Sequence, residues 1–295
     1  MTSAGASIQT TIDFIADLPA HGEEKPFFLH PSASIDVELD EIRTTNVEWD
    51  TKPVTAYSMR DNADISLERS GFCYIEHDSE FISSLGMDTN LIRKYRKEGE
   101  DLLRSMFKAE FVHCYDCKIR KNAPMTLENY DPKDPLLVEQ AAVGAHVYIS
   151  LDTVPRLLKS ILNEEQMQTF FQPGYRFRLI NTWRSTLAVC EDRPLAMCDY
   201  TSIDVDDLVA TDRIYPNWSQ EIYYLKHNEQ QRWYWLPNQR SNELFLFMTF
   251  DSHSGSNARY CPHVSVENPM ATPQAPPRES VETRNLIITK LPGDS

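Results

Sequence analysis

Apolar positions along this chain recur at two spacings. From Gly144 to Leu151 they alternate. Ala145, Val147, Ile149 and Leu151 fall on one side, and Gly144, His146, Tyr148 and Ser150 on the other, which is the period of a strand. Tyr175–Trp183 repeats the pattern, with Tyr175, Phe177, Leu179, Asn181 and Trp183 on one face and Arg176 and Arg178 opposite. Further strands are expected at Phe72–Ile75, Glu110–Ile119, Glu221–Leu225, Arg232–Leu236, Glu243–Phe250 and Glu279–Thr289. Two segments switch to helical spacing. Leu91, Ile92, Tyr95, Leu102, Leu103 and Met106 place an amphipathic helix over 87–107, and a second is expected over 153–171, stopped by Pro173–Gly174. Asp61–Asn62 and Ser70–Gly71 are turn signals, and Asn122–Pro135 reads as a Pro- and Asp-rich loop. Residues 1–50 are polar and read as an N-terminal arm with edge elements. Residues 51–290 read as one domain with helical insertions, and 291–295 as a tail. The class is mainly β with flanking helices, a barrel or sandwich.

Composition narrows the function. The 295 residues are 41% hydrophobic and 25% charged, as in an ordinary globular protein, and long enough to enclose a small-molecule pocket. The net charge of −15 argues against nucleic acid, whose binding rests on Lys and Arg replacing counterions. Only 9 glycines are present, with no GxGxxG or Walker sequence, so a phosphate loop is not expected. The 13 Tyr, 13 Phe and 5 Trp favour β-structure. No secretory signal is read at the N-terminus, and no run reaches the ~18 apolar residues of a membrane span. Five of the six cysteines sit in strand-like or apolar contexts, the six read as reduced thiols of a cytoplasmic protein, and the Cys114/Cys117 CxxC reads as two incidental thiols.

The chemistry centres on His146 and His263, each on an expected strand. A barrel that sets an early strand beside a late one can bring two such imidazoles onto one metal. The 2-His-1-carboxylate site of non-haem Fe(II) oxygenases is built this way, with a His-x-Asp/Glu on one strand and a distant His on another. An Arg on the final strand then anchors the carboxylate of a 2-oxo acid. Here Arg278 stands 15 residues after His263, and Ser280, Glu282 and Arg284 continue its face. One of Arg278 and Arg284 is expected to bind a carboxylate, with Arg278 preferred, and the other to close an ion pair with Glu279 or Glu282. Asn181, Trp183 and Arg184 are candidates for a pocket wall or for core and strand pairing.

Several stretches resemble the fungal asaB-type hydroxylase/desaturase family, itself similar to bacterial cephalosporin-methoxylation proteins. They are Asp64-Ile-Ser-Leu67 with Ser70-Gly-Phe72, Asn181-Thr-Trp-Arg184 with Arg193-Pro-Leu-Ala-Met-Cys-Asp199, Arg232-Trp-Tyr-Trp235, Phe250-Asp-Ser252 with Pro262-His263, and Pro276-Pro-Arg-Glu-Ser-Val-Glu-Thr-Arg284. The resemblance spans roughly residues 55–290. It implies a double-stranded β-helix (jelly roll, cupin-like) and oxidative tailoring of a fungal secondary metabolite. It also implies Fe(II) on His146 and His263, and 2-oxoglutarate held by Arg278 and Arg284.

The chain departs from this family at the metal. The family reads His-x-Asp where this chain reads His146-Val-Tyr148, and a neutral phenol is a poor Fe(II) ligand because its proton leaves only near pH 10. Asp152 lies too far along the strand to substitute. Met248 and Gln231 stand where the family often has Lys and His, and both are expected to remove polarity near the site. Three readings follow. One is an Fe(II)/2-oxoglutarate-type oxidoreductase with an incomplete triad. Another is a metal-independent isomerase, dehydratase or cyclase using His146, His263 and Tyr148 as its acid/base set. The third is a non-catalytic partner subunit. The expected partner is a small biosynthetic intermediate, with neither nucleic acid nor membrane, and homo- or hetero-oligomers are compatible with all three.

Overall fold

The computed structural model describes residues 7–29, 43–60, 62–124, 131, 134–142, 144–215 and 218–293. Much of the expected 122–135 loop, Asp61 of the first turn signal and the end of the tail lie outside these. Seventeen strands form among the described residues. The first eight are β1 (Ile8–Ile15), β2 (Phe27–Leu29), β3 (Trp49–Ser58), β4 (Phe72–Glu76), β5 (Phe111–Lys121), β6 (Val138–Glu139), β7 (His146–Val147) and β8 (Tyr175–Ser185). The rest are β9 (Val189–Cys190), β10 (Leu195–Cys198), β11 (Leu208–Ile214), β12 (Ser219–Leu225), β13 (Trp233–Trp235), β14 (Gln239–Arg240), β15 (Glu243–Asp251), β16 (His263–Ser265) and β17 (Glu279–Lys290).

A nine-stranded sheet runs β1-β3-β13-β10-β16-β7-β12-β11-β2, and a six-stranded sheet runs β4-β15-β8-β17-β5-β6. The two face each other across one apolar layer. Met197 of β10 packs there with Trp183 of β8 and with Phe245 and Phe247 of β15. Both faces of β8 and β15 are covered, so these strands are buried almost end to end. After the single-turn α1 (Leu67–Ser70), the outer cover of the six-stranded sheet is α2 (Thr89–Phe107), whose Leu103 meets Ile180, Leu246, Met248 and Ile287. Asp88 caps α2 by accepting from the Asn90 amide, and Lys108 in the left-handed region ends it. No helix among the described residues is long and apolar enough to cross a membrane.

Three expectations change. The single helix over 153–171 is two, α3 (Val154–Ile161) and α4 (Glu164–Phe170). Asn163 accepts from the Gln166 amide while Gln166 returns the bond, and this reciprocal cap starts a new helix where periodicity alone saw continuity. The strand over Gly144–Leu151 contracts to β7, wedged between β12 and β16, and then turns into a single 3-10 turn at Leu151–Thr153. The segment read as a polar arm with edge elements does supply an edge strand, at residues 8–15, but one whose apolar side belongs to the core. Ile8, Ile12 and Phe14 are buried in the core with Trp233, Trp235 and Ala145.

Candidate functional site

His146 of β7 and His263 of β16 are direct cross-strand partners. Their ring centroids are 4.6 Å apart, and both side chains are buried. Each ring is held by the carbonyl two residues before it on its own strand. Nδ1 of His146 donates to Gly144 O at 2.9 Å, and Nδ1 of His263 donates to Cys261 O at 3.1 Å. A carbonyl can only accept, so the proton sits on Nδ1 and Nε2 carries a lone pair. Both Nε2 atoms are buried without a partner among the described residues. Desolvation keeps the rings neutral. It pushes His146 well below the usual range, with the charge of His263 adding to the effect, and lowers His263 to about 4.

Gly144 is what lets the first carbonyl come so close. Its φ is +79°, and a Cβ there would meet the Trp49 ring at 2.4 Å.

Tyr148 completes a ring of three, with centroids 4.9 Å from His146 and 5.1 Å from His263. Its hydroxyl donates to Glu282 Oε2 at 3.1 Å and accepts from Arg120 Nη2 at 3.2 Å. The Arg284 guanidinium lies over its face, 3.9 Å from the centroid. Glu282 also accepts from Asn181 Nδ2 at 2.9 Å and from Arg284 Nε at 3.3 Å. Arg284 reaches Asp116 as well, at 3.0 Å. Burial works against the charge on Arg284, but Asp116 and Glu282 outweigh it and hold its pKa above the ordinary value.

Arg278 enters the same space from the start of β17. Its Nη1 donates to Ser265 Oγ at 2.9 Å and to Arg193 O at 3.0 Å. It makes no ion pair among the described residues, and its Nε has no partner. Desolvation lowers its pKa to about 10. Between Arg278, Arg120, Trp183, Glu282 and the three rings remains a cavity of about 20 Å³. A larger cavity of about 700 Å³ opens on the far side of Tyr148 and Arg284, walled by Tyr115, Ile149, Leu157 and Trp218. A third, polar cleft of about 520 Å³ reaches the Arg278 side through Ser265 and Val264.

The structure therefore brings His146, Tyr148, His263, Arg278, Arg284, Asn181 and Trp183 together. Arg184 is not with them. Strand alternation sends Asn181 and Trp183 inward and Arg184 to the opposite face, where it donates to the carbonyls of His77 and Ser241 and stacks on Tyr95 of α2. Arg284 is already committed to two carboxylates, which leaves Arg278 as the cation without one. Met248 and Gln231 also lie elsewhere, Met248 under α2 and Gln231 bonded to Asp207 and the Lys226 carbonyl. Asp152 is exposed. Sequence reasoning treated Glu282 only as an ion-pair partner and missed Arg120. Glu282 shared the strand face of Arg278, which was a usable signal. Arg120 sits in a Lys-Ile-Arg-Lys run that reads as solvated.

The donor set can be compared with an Fe(II) ion. Two neutral imidazoles with inward lone pairs suit a divalent cation, and their backbone-held Nδ1–H atoms fix them for it. No group of three His, Cys, Asp or Glu able to hold a metal occurs among the described residues. The position two residues beyond His146 carries a phenol. The chain has two of the three protein ligands of such a site, and the three-ligand site is absent.

The family described as "Oxidoreductase/YMDC permease-like domain" matches residues 14–288. Among relatives, the hydroxylase/desaturase efuI of Hormonema carpetanum is 27% identical over 85% of this chain and 90% of its own length. The alpha-ketoglutarate-dependent dioxygenase phiK of a fungal species is 26% identical over 84% of this chain and 88% of its own. The solved iron and alpha-ketoglutarate-dependent endoperoxidase NvfI superposes with a TM-score of 0.80 at 22% identity, covering 97% of this chain and 99% of that one. The architecture is that cupin-like jelly roll, as the motifs implied.

Proposed function

From the chain's membership of this oxidoreductase family, alongside fungal hydroxylase/desaturases, we propose that it is a tailoring enzyme of fungal secondary metabolism acting on a small organic intermediate. One observation carries the reading: two imidazole lone pairs and an unpaired buried guanidinium meet in a single small cavity. Burying a cation without a partner costs several kcal/mol, a cost that makes sense where an anion is meant to arrive. Arg278 would hold the carboxylate of a 2-oxo acid entering from the polar 520 Å³ cleft, whose Ser265 bonds its Nη1. Ser280 stands two residues on along the same strand face, with a buried hydroxyl that has no partner, and would add a second bond. His146 and His263 are the residues that would hold a divalent iron.

The organic substrate belongs in the 700 Å³ cavity, a volume suited to a drug-sized molecule. Tyr115, Ile149, Leu157 and Trp218 offer apolar surface to a skeleton bound there, and Asp116, Arg156 and Gln220 offer it polar partners. Tyr148 and Arg284 at its inner end face that skeleton, while Asn181 and Trp183 keep Glu282 and Arg278 in place. The net charge of −15 argues against nucleic acid as the partner.

The test is binding of 2-oxoglutarate to the full-length protein by calorimetry, with consumption of the acid assayed in the presence of candidate substrates. Arg278→Gln should weaken binding by about 30-fold or more, the worth of a charge-assisted pair. Binding by the parent protein that survives this substitution unchanged would overturn the assignment.

A further inference from the structure

Position 148 decides how this chain treats a metal, an inference that rests on the reading above but concerns the residue by which the chain departs from it. A carboxylate two residues after His146 would place an oxygen two bonds beyond Cβ, close to the imidazoles. The phenolic oxygen of Tyr148 lies at the far end of a six-membered ring, so the ring fills the ligand's place and the oxygen overshoots it. The hydroxyl is engaged there, donating to Glu282 and accepting from Arg120, with Arg284 stacked on the ring face. The space left beside the imidazoles is about 20 Å³, enough for roughly one water.

We propose that Tyr148 acts as a plug. It removes the third protein ligand and also fills the volume through which a small exogenous carboxylate would otherwise replace it. The histidine pair then holds a divalent cation by two protein bonds, weakly. Arg120 and Arg284 flank position 148, and their charges are already met by Glu139, Asp116 and Glu282.

The experiment is Co(II) binding to the full-length protein, measured by competition with a chromophoric chelator, with folding checked by thermal melting. Tyr148→Asp should bind Co(II) on the order of 100-fold more tightly than the parent. The loss of a mere outer-shell partner already costs 10–100-fold, and a direct ligand counts for no less. The gain should vanish when His146→Ala is added. Tyr148→Ala separates the plug from the missing ligand and serves as well if Tyr148→Asp fails to fold. Formate should tighten Co(II) binding by Tyr148→Ala and leave the parent unchanged.

A parent that binds Co(II) as tightly as Tyr148→Asp overturns the proposal. So does formate that helps the parent as much as Tyr148→Ala. Either result leaves 2-oxo acid binding at Arg278 untouched. Conversely, a 2-oxo acid that ignores Arg278 refutes the functional reading while the Co(II) comparison still stands.

Discussion

Arg278, just before β17, and Arg284, within it, lie six residues apart, and their surroundings are opposites. Around Arg284 the charges close on themselves: Asp116 and Glu282 accept from its guanidinium, and Tyr148 lies against its plane. Around Arg278 nothing closes. Its partners are a hydroxyl and a carbonyl, both neutral, and burial depresses its pKa to about 10. The same side chain is a piece of framework at one position and an open valence at the other. In a protein interior, an unpaired cation marks where a ligand belongs, and a paired one marks what holds the walls.

Removing each charge should break this symmetry in opposite directions. Arg284→Met strands the Glu282 carboxylate inside the protein and leaves Asp116 unanswered. We expect a loss of about 3–5 kcal/mol in unfolding free energy by urea denaturation, the usual penalty for removing one partner of a buried pair. A loss below about 1 kcal/mol would show that water already satisfies Glu282.

Acid probes the same cavity through His263, which lines it with Arg278. The unfolded chain takes up a proton on this ring from about pH 6.5 downward, while the folded chain resists until about pH 4. The unfolded state therefore binds more protons across that window, and stability falls as pH falls through it. At about 1.4 kcal/mol per unit the loss reaches about 3 kcal/mol. His263→Gln should flatten that part of the pH–stability curve, and an unchanged slope would refute the assignment.

Arg278→Met should produce the smallest change of the three, a gain of about 1–2 kcal/mol, since it removes a buried charge with no carboxylate partner but leaves Ser265 Oγ and Arg193 O without their donor. A loss as large as that of Arg284→Met would mean that Arg278 is framework too.

What the sequence disclosed follows the physics of each signal. Alternation along 144–151 put His146 and Tyr148 on one face, and that survived even though the strand itself shrank to two residues. Alternation also should have separated Arg184 from Trp183, since adjacent residues cannot share a face. The motif drew both together because it is read as a string. Glu282 was legible by the same rule, two positions from Arg284, but an acid beside a base on a strand reads first as a surface pair. Arg120 was illegible. Its burial comes from pairing of β5 with β17 and from the loop carbonyl of Gln140, neither of which has a local trace. The split between α3 and α4 was legible only through Asn163 and Gln166, a capping signal that apolar spacing overrides.

The contact between Gly144 and Trp49 has a consequence for where a shortened version of this protein could begin. Trp49 opens β3, packs edge-on against Tyr224 at 4.9 Å, and sits where a Cβ of Gly144 would be. The next amide, Ala145, donates to Asp13 O of β1 at 2.8 Å. The carbonyl that orients His146 is thus clamped by two strands from the first sixty residues. A chain trimmed to the start of the motif-bearing region would keep both histidines and yet free one ring to rotate, spending on disorder what the intact protein has settled in advance.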